Sequence, residues 1–266
     1  MGDSQHPPTY LGANRPAGRL PEVKFRILGP VEVCRDTRPI PVAGAQQRAL
    51  LALMLLNVGQ VVPYWDLVDE LWPLRGDRVR RNTVHAQITR LRHTISQHFR
   101  DVAIYSRSSG YMIEADPNEI DSVVFHQLRR QAGALVEKDP YKAVSLFQQA
   151  LALWRGTALQ DACTGARCRA AAARLDEARV LVQEQMTELY LIHGDPRSIV
   201  DDLRELVSLY PLRETLIEQL MKALHLSGRR VEAVTTYLES RRHFQEELGA
   251  DPSPALQQTY LQILKD

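Results

Sequence analysis

Apolar positions along the chain change their period from element to element, and the changes mark the elements out. FRILGPVEV from Phe25 and RPIPV from Arg38 are two short β-type runs separated by polar turn residues around Asp36, so a small leading sheet is expected. After Gly44, AQQRALLALMLLN sets Leu50, Leu53, Met54, Leu56 and Val58 on a helix with a broad buried face that stops near Gly59. VVPYWDLVDELWP gives a very short strand and a second helix closed by Pro73. The loop PLRGDR leads into RVRRNTVHAQITRLRHTISQHF, where Val84, Ile88, Leu91 and Ile95 fall three or four residues apart and share one helix face. VAIYSRSSGYMIEA alternates on both sides of Ser108, Ser109 and Gly110, which is hairpin patterning with turn chemistry at the tip. A leading sheet, three helices and a hairpin, in that order, are those of an α/β winged helix-turn-helix over 23–116.

From Asp121 the strand signals stop. Breaks at Asp139-Pro140, Gly156, Gly194 to Pro196, Pro211, Gly228 and Pro252 divide the rest, 121–266, into about seven helical segments, an all-α domain. DPYKAVSLF at 139, DPRSIVDDL at 195 and RRVEAVTTY at 229 align with Ala143, Ile199 and Ala233 in the same place, and the last two copies sit 34 residues apart, the tetratricopeptide period. Stacked helix pairs of this kind build concave surfaces that hold other proteins. The wider gap before the second copy predicts an insertion, and LWRGTALQD at 153–161 lies in it.

Composition adds the chemistry. A length of 266 residues suits two ordinary domains, and 44% hydrophobic with 24% charged residues suits a packed soluble chain. The net charge of +1 conceals a local excess: Arg75 to Arg107 holds eight Arg and three His, no Lys, and only Asp77 and Asp101 as acids. Such a stripe is the electrostatic footprint of a DNA reader. Three cysteines, Cys34, Cys163 and Cys168, are too few for a disulfide framework and fit a reducing cytoplasm. No apolar run is long enough to span a membrane, and residues 1–22, rich in proline and glycine, are expected to form a disordered leader.

The sequence carries no catalytic signature. Phosphate-binding glycine loops, H-E-x-x-H and G-x-S-x-G are missing from the sequence, Cys163 and Cys168 have no His at finger spacing, and Asp201 and Asp202 diverge around a helix. No enzyme activity, cofactor or metal is therefore expected. Trp65, Trp72 and Trp154 sit among apolar residues and are assigned to the core, His193 to a helix end, and Asp69 and Glu70 to no role.

Opposite its apolar face, the third helix presents Asn82, Ala86, Thr89, Arg90 and His93, with His85 and Arg92 on the flanks. Arg pairs with guanine and Asn with adenine, each good bidentate contact discriminating by about 1–3 kcal/mol. Asn82, His85, Thr89, Arg90 and His93 are the candidate base readers, with Arg90 central. Arg81, Arg92, Arg107 and Tyr111 are the candidate phosphate contacts.

These segments resemble the Streptomyces antibiotic regulatory proteins, activators of antibiotic gene clusters in actinobacteria. In the first half the resemblance rests on FRILGPVEV, QQRALLALMLL at 46, VDELWP at 68, ITRLRHTI at 88 and GYMIEA at 110. In the second it rests on ALALWRGTALQD at 150, RLDEAR at 174, ELVSLYPLRE at 205, QLMKALHLSGRRVEA at 219 and EELGADPSPAL at 246. It implies an OmpR/PhoB-type winged helix that binds, as a homodimer, direct repeats in double-stranded promoter DNA. It also implies a bacterial transcriptional activation domain that engages RNA polymerase, chiefly its sigma factor. In that likeness Arg90 and Arg92 fall on the Arg-Leu-Arg motif, Arg107 to Tyr111 on the wing, and Leu74, Arg75, Gly76, Asp77 and Arg78 where such activators touch sigma. Ser109 before Gly110, where family wings often carry proline, and His85 and Thr89 on the reading face depart from the pattern and bear on the preferred DNA sequence. With no ATPase or receiver segment, the chain looks like the small form.

The alternative to an activator is a helical-repeat scaffold or ligand-responsive regulator with weak DNA binding. A reader loses affinity with salt by about 0.9 in log K per log salt for each neutralised phosphate, whereas a scaffold does not. As an activator, its fragment 1–116 is expected to bind DNA without activating transcription.

Overall fold

The computed structural model describes residues 23–35, 38–73 and 81–266. The expected leader and most of the loop after the second helix lie outside them. The leading sheet consists of β1 (Phe25–Arg26), β2 (Glu32–Arg35) and β3 (Arg38–Ile40), antiparallel in that order, with Phe25 opposite Val33 and Val33 opposite Ile40. FRILGPVEV is thus not one strand: it breaks between Ile27 and Val31. The physical reason is where the backbone groups go. The amides of Ile27 and Leu28 donate to the Asp121 carboxylate at 2.8–3.0 Å, and the carbonyls of Ile27, Leu28 and Gly29 accept from Leu159, Arg155 and Gln160. A segment satisfied this way has no need of a ladder.

Helix α1 (Ala45–Leu56) is buried at every position from Ala49 to Leu55, the signature of a central core helix. It is followed by β4 (Val62–Pro63), α2 (Tyr64–Leu71), α3 (Arg81–Ser96) and the hairpin β5 (Ala103–Arg107) and β6 (Gly110–Glu114). β6 lies between β4 and β5, and the hairpin closes with Arg107 opposite Gly110. Glycine is required at 110 because a Cβ there would stand 1.9 Å from the Val62 carbonyl oxygen. Gln46, Gln47 and Gln87 form an amide clasp between α1 and α3, and Gln46 also donates to the Leu71 carbonyl at the end of α2. This is the expected winged helix-turn-helix.

The remainder is helical: α4 (Asp121–Gly133), α5 (Pro140–Leu151), α6 (Ala166–His193), α7 (Val200–Leu209), α8 (Glu214–Leu226), α9 (Arg230–Leu248) and α10 (Pro254–Lys265). Ala143, Ile199 and Ala233, the aligned repeat positions, are all buried. The middle copy starts differently, since Pro196–Ile199 is a 3-10 turn capped by the Asp195 carboxylate and α7 begins after it.

By contacts the chain divides into two compact units, one running to Arg130 and including Gln149–Arg179, the other comprising Gln131–Gln148 and Val180–Asp266. LWRGTALQD therefore belongs to the same unit as the winged helix. In that unit Arg155 bonds the Pro30 carbonyl at 2.9 Å and Glu32 at 2.8 Å, Asp161 accepts from the Val31 amide and pairs with Arg48 at 2.8 Å, and Trp154 meets Phe125 edge to face. In the second unit, α8 packs with α7, α9 and α10. Thr187 donates to Gln219 at 2.6 Å and Arg213 forks onto Glu184 at 2.6 and 3.1 Å.

Two buried carboxylates fasten the first unit. Glu70, on α2 and 1% exposed, accepts from the amides of Gly165 at 2.8 Å, Arg167 at 2.9 Å and Cys168 at 3.3 Å, and so caps the N-terminus of α6. A side chain at 165 would collide with that carboxylate, its Cβ falling 2.5 Å from it. Asp121 does the same for the amides after β1, with Arg155 at 3.9 Å. These findings change one expectation: a fragment ending at 116 lacks Asp121 and 149–179, leaves Glu70 and the Ile27–Leu28 backbone unsatisfied, and is expected to fold poorly.

Glu70→Ala should destabilise the chain by about 3 kcal/mol, because it removes a cap and leaves buried amides unpaired. Glu70→Gln, which keeps one acceptor, should lose less, and the denaturant midpoints of the two variants check the order. Burial raises the Asp121 carboxyl to about 6, with the Leu28 and Ile27 amides and Arg155 pulling the other way. Its folded value lies above its unfolded value of about 4, so its contribution to stability is complete below that value and is lost as pH rises through about 6. Relative to Asp121→Asn, the wild type should therefore lose stability between about pH 4 and about pH 6, by at most about 3 kcal/mol, and change little above that. The opposite slope in paired unfolding curves would mean that the amides and Arg155 outweigh burial.

Candidate nucleic-acid interface

Helix α3 buries Val84, Ile88 and Leu91 completely and Ile95 to 2% exposure. The opposite side is then fixed by helical geometry, and Asn82, His85, Ala86, Thr89, Arg90 and His93 are all exposed. Arg90 is in no ion pair among the described residues. His93 is hydrogen-bonded to Gln97 at 3.0 Å. For Arg81 the structure describes only its place as the first residue of α3.

The wing stands beside this face. Tyr111 on β6 reaches His85 on α3, its hydroxyl 3.5 Å from Nδ1. The Ser109 carbonyl accepts from the Tyr64 amide at the start of α2. Arg107, exposed next to the turn, lies over the Tyr105 ring at 5.2 Å. Arg92 behaves differently from its neighbours: it is half-buried and donates to the Ile104 carbonyl at 2.8 Å and the Ser106 hydroxyl at 3.0 Å.

Asn82, His85, Thr89, Arg90 and His93 thus share the exposed side of α3, and His85 and Arg92 contact the hairpin that carries Arg107 and Tyr111. The proposed sigma contacts, Leu74, Arg75, Gly76, Asp77 and Arg78, lie outside the described residues. Trp65 is a correction. It is 63% exposed at the first turn of α2, packed edge to face on Tyr64, and is not a core residue. Trp154 is buried and Trp72 half-buried. Trp65 sits one residue off the period of Leu67, Val68 and Leu71, the signal that distinguishes it from them.

The other candidate groups are structural. Cys34 and Cys168 are buried, and burial, with Glu70 adding its charge, pushes the Cys168 thiol far up. Among the described residues no group of three or more His, Cys, Asp or Glu could hold a metal, and no helix is long and apolar enough to cross a membrane. The helical unit has a cleft of about 690 Å³ between α7, α8 and α9, lined by Val207, Pro211, Leu220, Thr235 and Glu239 among others. At its rim Arg204 pairs with Glu232, which bonds from Arg229 and then Arg204 hold down to about 2.

Residues 120–264 match the bacterial transcriptional activator domain and residues 42–113 match the C-terminal domain of transcriptional regulatory proteins. The transcriptional regulator RedD of Streptomyces coelicolor is 34% identical over 91% of this chain and 70% of its own length. The regulatory protein DnrI of Streptomyces peucetius is 31% identical over 91% of this chain and 92% of its own. The chain belongs to the Streptomyces antibiotic regulatory protein family. A solved structure of Mycobacterium tuberculosis EmbR, in complex with a low-affinity phosphopeptide, is similar over 92% of this chain and 65% of that one, at 27% identity and a TM-score of 0.84. The antibiotic regulatory family supplies transcription regulators with an OmpR/PhoB-type DNA-binding fold and a helical activation domain, and is not enzymatic. For this member, Arg90→Ala should leave the thermal midpoint within about 2 °C of wild type, since an exposed surface side chain carries little stability.

Proposed function

We propose that this protein activates transcription of an antibiotic or secondary-metabolite gene cluster by reading direct repeats near the promoter and recruiting RNA polymerase through its sigma factor. In this reading 23–116 is the DNA-binding module, 121–266 is the activation domain, and the protein acts in the cytoplasm as a homodimer on DNA. The observation that carries it is the exposed face of α3, with Arg90 at its centre and in no ion pair among the described residues, and the wing beside it, in a chain whose second half is an activator domain.

The face enters the major groove. Arg90 donates two hydrogen bonds to guanine, while Asn82, His85, Thr89 and His93 contact neighbouring base edges. Arg81, Arg107 and Tyr111 hold the flanking phosphates, which sets register rather than sequence. Repeats about one helical turn apart place two copies on the same side of the duplex, and the loop 74–78 and the helical domain meet polymerase from there.

The reading is tested by incubating the full chain and Arg90→Ala with fragmented genomic DNA at moderate salt and sequencing what each retains. Enrichment by the wild type alone of promoter fragments sharing direct repeats supports it; enrichment by neither protein abandons it. On a retained fragment, Arg90→Ala should weaken specific binding by about 1–3 kcal/mol and non-specific binding much less, whereas Arg107→Ala should weaken both alike. Equal losses for both variants on both DNAs would contradict these roles. A flat salt dependence would favour the scaffold alternative.

A further inference from the structure

Arg92 touches the hairpin at three places. Its Nε donates to the Ile104 carbonyl at 2.8 Å, its Nη2 donates to the Ser106 hydroxyl at 3.0 Å, and its guanidinium carbon lies 5.9 Å from the centre of the Tyr111 ring. Ser106 and Tyr111 are cross-strand partners, so one side chain of α3 grips both strands of the wing. The Ile104 carbonyl is an available acceptor for a definite reason. β5 is an edge strand, and Ile104 stands three pairs in from the Arg107–Gly110 closing pair, where alternation turns its carbonyl away from β6. Arg92 occupies the position on the edge that another strand would otherwise fill.

We propose that Arg92 is a positioning residue for DNA binding. It fixes the angle of the wing against α3, so that Arg107, one residue beyond Ser106, reaches its phosphate while Arg90 reaches its base. The proposal rests on the DNA-reading function above and reassigns Arg92 from a phosphate contact to a clamp. The chemistry suits a clamp. Guanidinium presents a planar fork that bonds two acceptors while lying against a ring, whereas an ammonium at the end of a flexible stem supplies charge without that geometry. A lysine would serve a phosphate contact nearly as well, but it would fail as a clamp.

Full-length wild type, Arg92→Lys, Arg107→Ala and the double variant separate the two roles. Without DNA, amide exchange is measured across β5 and β6. Arg92→Lys should speed it by about tenfold there while α1 and α4 are unchanged, because a local opening loses its restraint. With an enriched promoter fragment, Arg92→Lys should lose about tenfold in affinity, and the loss should largely vanish in the Arg107→Ala background, as for residues acting through one another. A phosphate contact would instead leave exchange at the wild-type rate, retain affinity with lysine, and add to Arg107→Ala. Any of those three results overturns the clamp. The two proposals fail separately: faster hairpin exchange in a protein that binds no DNA keeps the clamp and removes the DNA-reading function.

Discussion

Val84, Ile88, Leu91 and Ile95 are withdrawn from water almost completely, and each contributes about 1.5–3 kcal/mol to holding α3 in one rotation about its axis. Turning the helix by one residue would sweep the stripe through about 100° and bring charged side chains into the core. The exposed set, Asn82, His85, Ala86, Thr89, Arg90 and His93, is therefore a consequence of what is buried. The glutamine clasp from α1 and the Arg92 bonds to the wing then fix what rotation alone leaves open, the slide of the helix along its axis and the tilt of the hairpin beside it.

Apolar contact is non-directional and would let the winged helix and the segment 149–179 settle in more than one register. Buried carboxylates remove that freedom. Glu70 reaches the start of α6 from 95–98 residues away in sequence, and Asp121 reaches the turn after β1 across 93–94. Each accepts several amides, so its desolvation is offset only in one arrangement. Because Glu70 lies on α2, the helix before α3, the helix-turn-helix and the first turn of α6 form one fastened piece.

Elements with a strong period were legible in the sequence. The four-residue stripe of α3, the alternation on either side of Ser108 and Ser109, and the proline and glycine breaks after Asp121 each carry a local signal, and the structure follows them. What the sequence did not reveal depends on distant partners. Glu70 looks like any solvated acid on an amphipathic helix until α6 arrives with three free amides. The break inside FRILGPVEV needs Asp121 and the backbone of 155–160 to be in place. LWRGTALQD reads as an insertion between repeats because nothing local says that it packs on the leading sheet. Trp65 was misplaced by composition, an aromatic among apolar residues, where its angle around α2 points to water. Arg90 and Arg92 read alike in a line of text and differ only because one of them faces an edge strand.

The charge distribution acquires a meaning from the same contacts. In the first unit Lys24, Arg48, Arg155 and Arg167 are each joined to carboxylates at 2.5–2.8 Å, and in the second Arg213, Arg229 and Arg241 are joined to Glu184, Glu232 and Asp251. Arg90 and Arg107 have no such partner among the described residues. A cation already paired with a carboxylate has little field left for a phosphate, and attraction over a distance comes from those that remain. A chain with a formal net charge of +1 can thus present a positive face on α3, because among the described residues folding pairs many of its other cations with carboxylates. An acid within reach of Arg90 would screen that positive face, and Asp101, one of the two acids in the stripe, is turned instead onto Lys24.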